Sequence, residues 1–195
     1  MNITCVNCQK EINVLKDTFV CCNCGYLNPL NDIDFFSYLG FSKTLEINKE
    51  ELESIFMKLM MKYHPDNFIK SSEAEKINSL THSGYLNKAY DTLKNETSRF
   101  AYMYEITNNE SIISENEVNN SALFMEFFEY YEELENIQHT DNLKIFRDKL
   151  LQLKQQILQE NMNIDFSNKT LAHSVYVKLQ YIDKIIQKSL DKIQG

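Results

Sequence analysis

Between residues 49 and 63, Leu52, Ile55, Phe56, Leu59, Met60 and Tyr63 recur at steps of three and one, the 3.6-residue period of an amphipathic helix. The run stops at His64-Pro65-Asp66-Asn67-Phe68. Proline removes a backbone donor and pushes the preceding residue out of the helical region, so the helix is predicted to end there. His64 and Asp66 are then expected on a short, stiff, exposed turn, suited to presentation rather than to packing. Asn48 is the predicted N-cap, and Glu50, Glu51 and Glu53 favour the positive end of the helix dipole. Lys58 and Lys62 lie four apart near the other end, off the apolar stripe.

Upstream, PLNDI (29–33) punctuates the chain, and Asn31 or Asp32 is predicted to cap a short helix, DIDFFSYLG, that ends at Gly40 and buries Phe35, Phe36 and Leu39. Downstream, residues 72–94 predict a third helix through Ile77, Leu86, Ala89, Tyr90 and Leu93, with Gly84 as a blemish. A short fourth segment, SRFAYMYEI, follows.

Three further helices are predicted over about 120–138, 141–160 and 168–193. Asn119, Asn120 or Ser121 can cap the first, Thr140 or Asp141 the second, and Ser167 or Asn168 the third. The middle one carries Ile145, Phe146, Leu150, Leu153 and Ile157 on one stripe, the last Leu171, Val175, Leu179, Ile182, Ile186 and Leu190. Short connections make antiparallel neighbours, hence a three-helix bundle. The first of these helices, ALFMEFFEYYEELENI, has more hydrophobes than one core face can hold. Leu123, Phe127, Tyr130, Tyr131 and Leu134 include the expected core set. Phe124, Met125 and Phe128 are the expected surplus, an exposed patch flanked by Glu126, Glu129, Glu132 and Glu133.

Composition supports a helical reading. Two prolines and four glycines in 195 residues are too few for a turn-rich β protein, and 43% apolar content suffices for one or two small cores. The apolar runs are all too short to span a membrane. MNITCVNCQK shows neither a secretory nor a transit pattern, so no targeting signal is visible. The net charge of −8 lies wholly beyond residue 31, and no Lys or Arg occurs between Arg99 and Lys144. Nucleic-acid binding requires basic patches that neutralise phosphates, so the expected partners are proteins.

All five cysteines fall within the first 24 residues. Cys5-Val-Asn-Cys8 and Cys21-Cys22-Asn-Cys24 are two CxxC pairs; two such turns can complete a tetrahedral four-cysteine site. Cys22 could replace Cys21, but CxxC geometry and the following Gly25, at a position that often needs positive φ, favour Cys5, Cys8, Cys21 and Cys24. A segment this short cannot build a sufficient core, so one structural zinc per chain is expected to supply much of its folding energy. Iron or disulfides are the alternatives. An odd cysteine count and a long cysteine-free remainder fit disulfides poorly. No His, Asp or Glu is placed to leave a catalytic position open, and no enzyme constellation can be assembled.

The order short helix, long helix, HPD turn, long helix, short helix resembles a J domain. YHPDNF followed by YLNKAYDTLKNETSRFAYMY is similar to the J domain of HscB-type iron–sulfur co-chaperones. The paired cysteines resemble the zinc module of mitochondrial HscB proteins, and ALFMEFFEYYEELENI resembles the family's scaffold-binding helix. Asn67 stands where the family has Lys, and Phe100 where Ala is usual. The resemblance implies that His64, Pro65 and Asp66 contact a DnaK-class chaperone and stimulate its ATPase, with Lys58 and Lys62 facing its acidic surface. It further implies that Phe124, Met125, Phe128 and Tyr181 grip the iron–sulfur scaffold protein, and that the protein works in the mitochondrial matrix or a mitochondrion-derived organelle, the cytoplasm being the alternative.

The expectation is therefore an all-α protein with a zinc knuckle module over 1–30, a four-helix J domain over 31–107 and a scaffold-binding three-helix bundle over 108–195. It would be a co-chaperone rather than an enzyme, with no nucleic-acid or membrane partner. A J protein of the diphthamide pathway is the nearest alternative, although there the zinc module follows the J domain. A zinc-ribbon nucleic-acid adaptor is disfavoured by the charge and by only two arginines.

Overall fold

The computed structural model describes residues 2–13, 19–112 and 121–194, with backbone alone at 121–124, 126 and 194. The caps foreseen at Asn119 and Asn120 lie outside the described residues. The chain divides into two compact units, Met1–Ser98 and Arg99–Gly195.

The first unit opens with an antiparallel hairpin, β1 (Asn2–Thr4) and β2 (Glu11–Asn13), in the register Ile3 opposite Ile12. Cys5, Ile12 and Cys21 are its buried centre, covered by Ile3, Cys8 and Tyr26. Helix α1 (Phe35–Leu39) follows, closed by Gly40 at φ 80°. Its N-cap is Asp34, whose carboxylate accepts the Ser37 amide at 3.0 Å, and not Asn31 or Asp32. The cap sits immediately before Phe35 because Phe35 and Phe36 must begin the helix to be buried.

Helix α2 (Lys49–Tyr63) is capped by Asn48, whose side chain accepts the amides of Glu50 and Glu51. A single 3-10 turn, Pro65–Phe68, separates it from α3 (Glu73–Lys94). A capping box starts α3: Ser72 accepts the Glu75 amide while Glu75 reaches back to the Ser72 amide. Phe56 stacks on Tyr90 at 4.2 Å between the two helices, and Leu52, Leu86, Ala89 and Leu93 are buried. Ile77, expected on the core stripe, is instead exposed, because Ser79 and His82 take the inward positions near the start of α3. Gly84 meets nothing that a Cβ would touch, so its cost is one of backbone entropy alone.

Helix α4 (Glu96–Asn108) begins within the first unit, where Glu96 pairs with Lys49 at 2.5 Å. In the second unit Phe100 is fully buried with its ring 4.9 Å from Phe166, so the larger side chain at this position has a matching partner. Helices α5 (Ser121–Asn136), α6 (Thr140–Glu160) and α7 (Lys169–Gln194) form the bundle. Phe127, Leu134, Leu143, Phe146, Leu150, Ile182 and Ile185 are its core. Ile145 and Leu171 are exposed, against expectation; Leu143 and Ala172 occupy the inward positions nearby. Residue His139 takes the N-cap position of α6 without a side-chain bond, displacing Thr140 and Asp141. Asn168 caps α7 through the Leu171 amide. Lys154 of α6 is almost fully buried and meets Asp183 of α7 at 2.5 Å.

Candidate functional site

Three groups of residues carry chemistry. In the first, the sulfurs of Cys5, Cys8, Cys21 and Cys24 all lie within 4.8 Å of one another. The pairs Cys5–Cys24 and Cys8–Cys21 are each 3.7 Å apart. A tetrahedral ion with metal–sulfur bonds of about 2.3 Å would set sulfur–sulfur edges of about 3.8 Å, so these four donors fit such an ion. Cys22 is exposed and outside the group.

The two knuckles are built alike. The amides of Gln9 and Gly25 donate to the carbonyls of Cys5 and Cys21, at 2.9 and 2.8 Å. Those of Cys5 and Cys21 return to the carbonyls of Lys10 and Tyr26. Each turn therefore needs a left-handed residue after its second cysteine: Gly25 at φ 74°, as expected, and Gln9 at φ 62°. Asn7 and Asn23, alike in position, each donate a side-chain amide across to the far knuckle, to Cys24 and Cys8 at 3.6 Å. Both asparagines were missed as supporting residues, although the repeated Cys-x-Asn-Cys carried the signal.

Ionisation is uneven among the thiols. Burial alone would raise Cys5, but the amides of Cys8 and Asn7 and the neighbouring thiols more than offset it, bringing its pKa to about 6. The Lys10 amide, working against burial, lowers Cys8. For Cys21 the Cys24 amide is outweighed by burial and by neighbouring Cys24 and Cys8, which push it to about 11. Four thiolates need a cation to coexist, so binding one must release protons.

The second group is the turn after α2. His64 ends the helix, its amide donating to the Met60 carbonyl at 2.9 Å. Its Nδ1 accepts the Asp66 amide at 3.3 Å and lies 3.5 Å from the Asp66 carboxylate. The His64 and Asp66 side chains are 50% and 79% exposed, so the turn presents both. Asn67 donates its side-chain amide to the Met61 carbonyl at 2.6 Å, tying the turn to the end of α2. Phe68 is the buried anchor below. Lys58 and Lys62 are exposed on α2, where they line a shallow groove with Ile55, Leu59 and Met61.

In the third group, on α5, Met125 and Phe128 are 66% and 41% exposed, while Phe127 and Leu134 on the same helix are buried. The side chain of Phe124 lies outside the described residues, as does that of Leu123. Tyr130 and Tyr131 are partly buried against the core. Tyr181 of α7 is partly buried, stacked on Phe127 at 5.3 Å and 11°. No helix among the described residues is long and apolar enough to cross a membrane.

A helical hairpin with an exposed His-Pro-Asp turn defines a J-domain protein, and residues 34–102 match the DnaJ domain family. The co-chaperone protein HscB of Proteus mirabilis is 32% identical over 108 residues, 55% of this chain and 62% of that protein, so the chain spans a little under two thirds of that relative. The HscB of Buchnera aphidicola is 30% identical over 135 residues, 67% of this chain and 72% of that one. The crystal structure of human co-chaperone protein HscB superposes with a TM-score of 0.82 at 23% identity, over 99% of this chain and 100% of that one. Chaperone HscB from Vibrio cholerae gives 0.68 at 25% identity, over 83% and 99%. The chain belongs to the HscB family of J-domain co-chaperones.

Proposed function

We propose that the protein binds an iron–sulfur cluster scaffold through α5 and α7, delivers it to a DnaK-class chaperone and stimulates that chaperone's ATPase, promoting cluster transfer. The observation that carries this reading is the pairing, in one HscB-family chain, of an exposed His64-Pro65-Asp66 turn with an exposed apolar patch at Met125 and Phe128. The turn would engage the ATPase, and Lys58 and Lys62 would steer encounter with an acidic surface, a contribution that weakens with salt. Met125, Phe128 and, on the strength of the resemblance, Phe124 and Tyr181 would hold the scaffold. The cysteine centre would hold one structural zinc, supplying folding energy rather than chemistry. The mitochondrial matrix or a mitochondrion-derived organelle would be the site of this work, a reading supported by the resemblance alone.

The test joins two measurements on the full chain: capture of a cluster scaffold from its own cells, and stimulation of a DnaK-class ATPase by the unmodified protein and by His64→Gln. The unmodified protein should capture scaffold and stimulate. The variant should keep its helical content, since the exposed imidazole packs against little, and lose stimulation. Equal stimulation by the variant would refute the role given to the turn.

A further inference from the structure

The cysteine module touches α2 and α3 through an ordered set of polar bonds. The Phe19 amide donates to the Tyr63 hydroxyl at 3.2 Å, and the Phe19 ring lies 4.6 Å from His82. Asn28 spans the module, accepting the Val6 amide on its side-chain oxygen and donating its side-chain nitrogen to the Phe19 carbonyl. Its own carbonyl accepts His82 Nε2 at 2.9 Å. Since a carbonyl only accepts, that nitrogen carries the proton, and Nδ1 accepts the Tyr38 hydroxyl at 3.0 Å. Asn78 donates to the Leu27 carbonyl at 2.8 Å, and Glu75 accepts the Leu27 amide.

These bonds converge on the residue before the turn. Tyr63 is 1% exposed, its ring 4.7 Å from His82. Its carbonyl accepts two hydroxyls, Ser79 at 2.7 Å and Ser83 at 3.0 Å, one helical turn apart on α3. The module thus holds one end of Tyr63 and α3 the other, and His64 is the next residue along the chain.

We propose that the cysteine module is a brace for the His-Pro-Asp turn, with Tyr63 the positioning residue through which it acts. This rests on the reading of the turn as the contact with a DnaK-class ATPase. The His64 and Asp66 side chains pack against little: buried Phe68 anchors the far end of the turn, and its near end takes its position from the helix end at Tyr63. Fixing the Tyr63 hydroxyl from the module and its carbonyl from α3 leaves His64 starting from a defined point. Binding then costs less conformational entropy, as for any preorganised contact.

Two variants test the brace in the full chain. Tyr63→Phe removes the oxygen that accepts the Phe19 amide and keeps the ring; Asn78→Ala removes a docking bond without touching Tyr63. The readouts are amide hydrogen exchange and the maximum and half-point of ATPase stimulation. Exchange at His64 and Asn67, whose amides bond to Met60 and His64 carbonyls, should quicken about tenfold while the middle of α3 stays within about twofold. Maximal stimulation should fall by about threefold or more in both variants, the loss of a preorganised contact. Unchanged exchange at the turn, or acceleration spread evenly through α3, overturns the brace. So does an unchanged maximum where the unmodified protein stimulates. If the unmodified protein stimulates no such ATPase, the contact reading fails on its own and the exchange pattern still decides the brace.

Discussion

Cys21 and Cys22 are neighbours with the same side chain, yet only one faces the other three sulfurs. The cause is the backbone: the bond from Gly25 to the Cys21 carbonyl closes the second knuckle at the same residue count as the bond from Gln9 to Cys5 closes the first. Purified protein should therefore carry about one zinc per chain, unchanged in Cys22→Ser and lost in Cys21→Ser, Cys5→Ser or Cys24→Ser, the stoichiometry of a four-thiolate site. Metal analysis showing the reverse order for Cys21 and Cys22 would discard this ligand set. His82 gives a second residue-scale expectation. Burial holds its pKa below the ordinary 6.5, and the bond to Asn28 only partly offsets this. The unfolded chain takes up the proton first, so its stabilising contribution is complete above about pH 6.5 and declines as pH falls below it. Thermal melts between pH 7 and pH 5, with metal present throughout, should show a smaller decline for His82→Gln than for the unmodified protein; equal slopes would mean His82 is not the group responsible. The cysteines were legible because the spacing of two CxxC pairs alone predicts that four thiols converge. His82 was not, since nothing local distinguishes a histidine inside a helix that will meet a carbonyl 54 residues away.

At the scale of the element, α5 is the most informative helix. Phe127 and Leu134 face the core while Met125 and Phe128 do not, so the surplus of hydrophobes resolves into two faces. Truncating Phe124, Met125 and Phe128 together to Ala should weaken scaffold binding by two or more orders of magnitude, each central anchor being worth about 1–2 kcal/mol. The melting temperature should change little, because surface truncations usually stay within about 0.5 kcal/mol each. Core truncations would cost about 2–5 kcal/mol apiece. ATPase stimulation without scaffold should survive, since on the proposed reading it runs through the turn at His64, Pro65 and Asp66. A collapsed melting temperature would mark these as core residues; intact affinity in a folded variant would remove the patch from the site. Helix limits were largely legible from periodicity, but inward positions failed at helix ends. Ile77, Ile145 and Leu171 lie within a turn or two of a start, where the packing partner differs from that of the helix middle.

Over the whole molecule, the sequence boundary at residue 107 and the division at Ser98 differ by most of α4. Motif logic counts that helix as the fourth of the J domain, whereas Phe100 and Asn108 make their contacts with Phe166, far along the chain. Periodicity reports that a face is buried and says nothing about which neighbour covers it; that is why the helices were readable while the neighbours of this one were not. The Lys154–Asp183 pair, its lysine buried and its carboxylate 33% exposed, has a related meaning. Stripes of Leu and Ile on α6 and α7 are nearly self-similar from one turn to the next, so apolar packing alone would tolerate a slip of about 5.4 Å along the axis. A slip would strand a lysine in the core away from its carboxylate, and a buried charge left without its partner is destabilising. The ion pair acts as a tooth in a ratchet. Tyr181 lies one half-turn before Asp183 and stacks on Phe127, so the tooth that sets the register of α7 also sets the height at which α5 meets it.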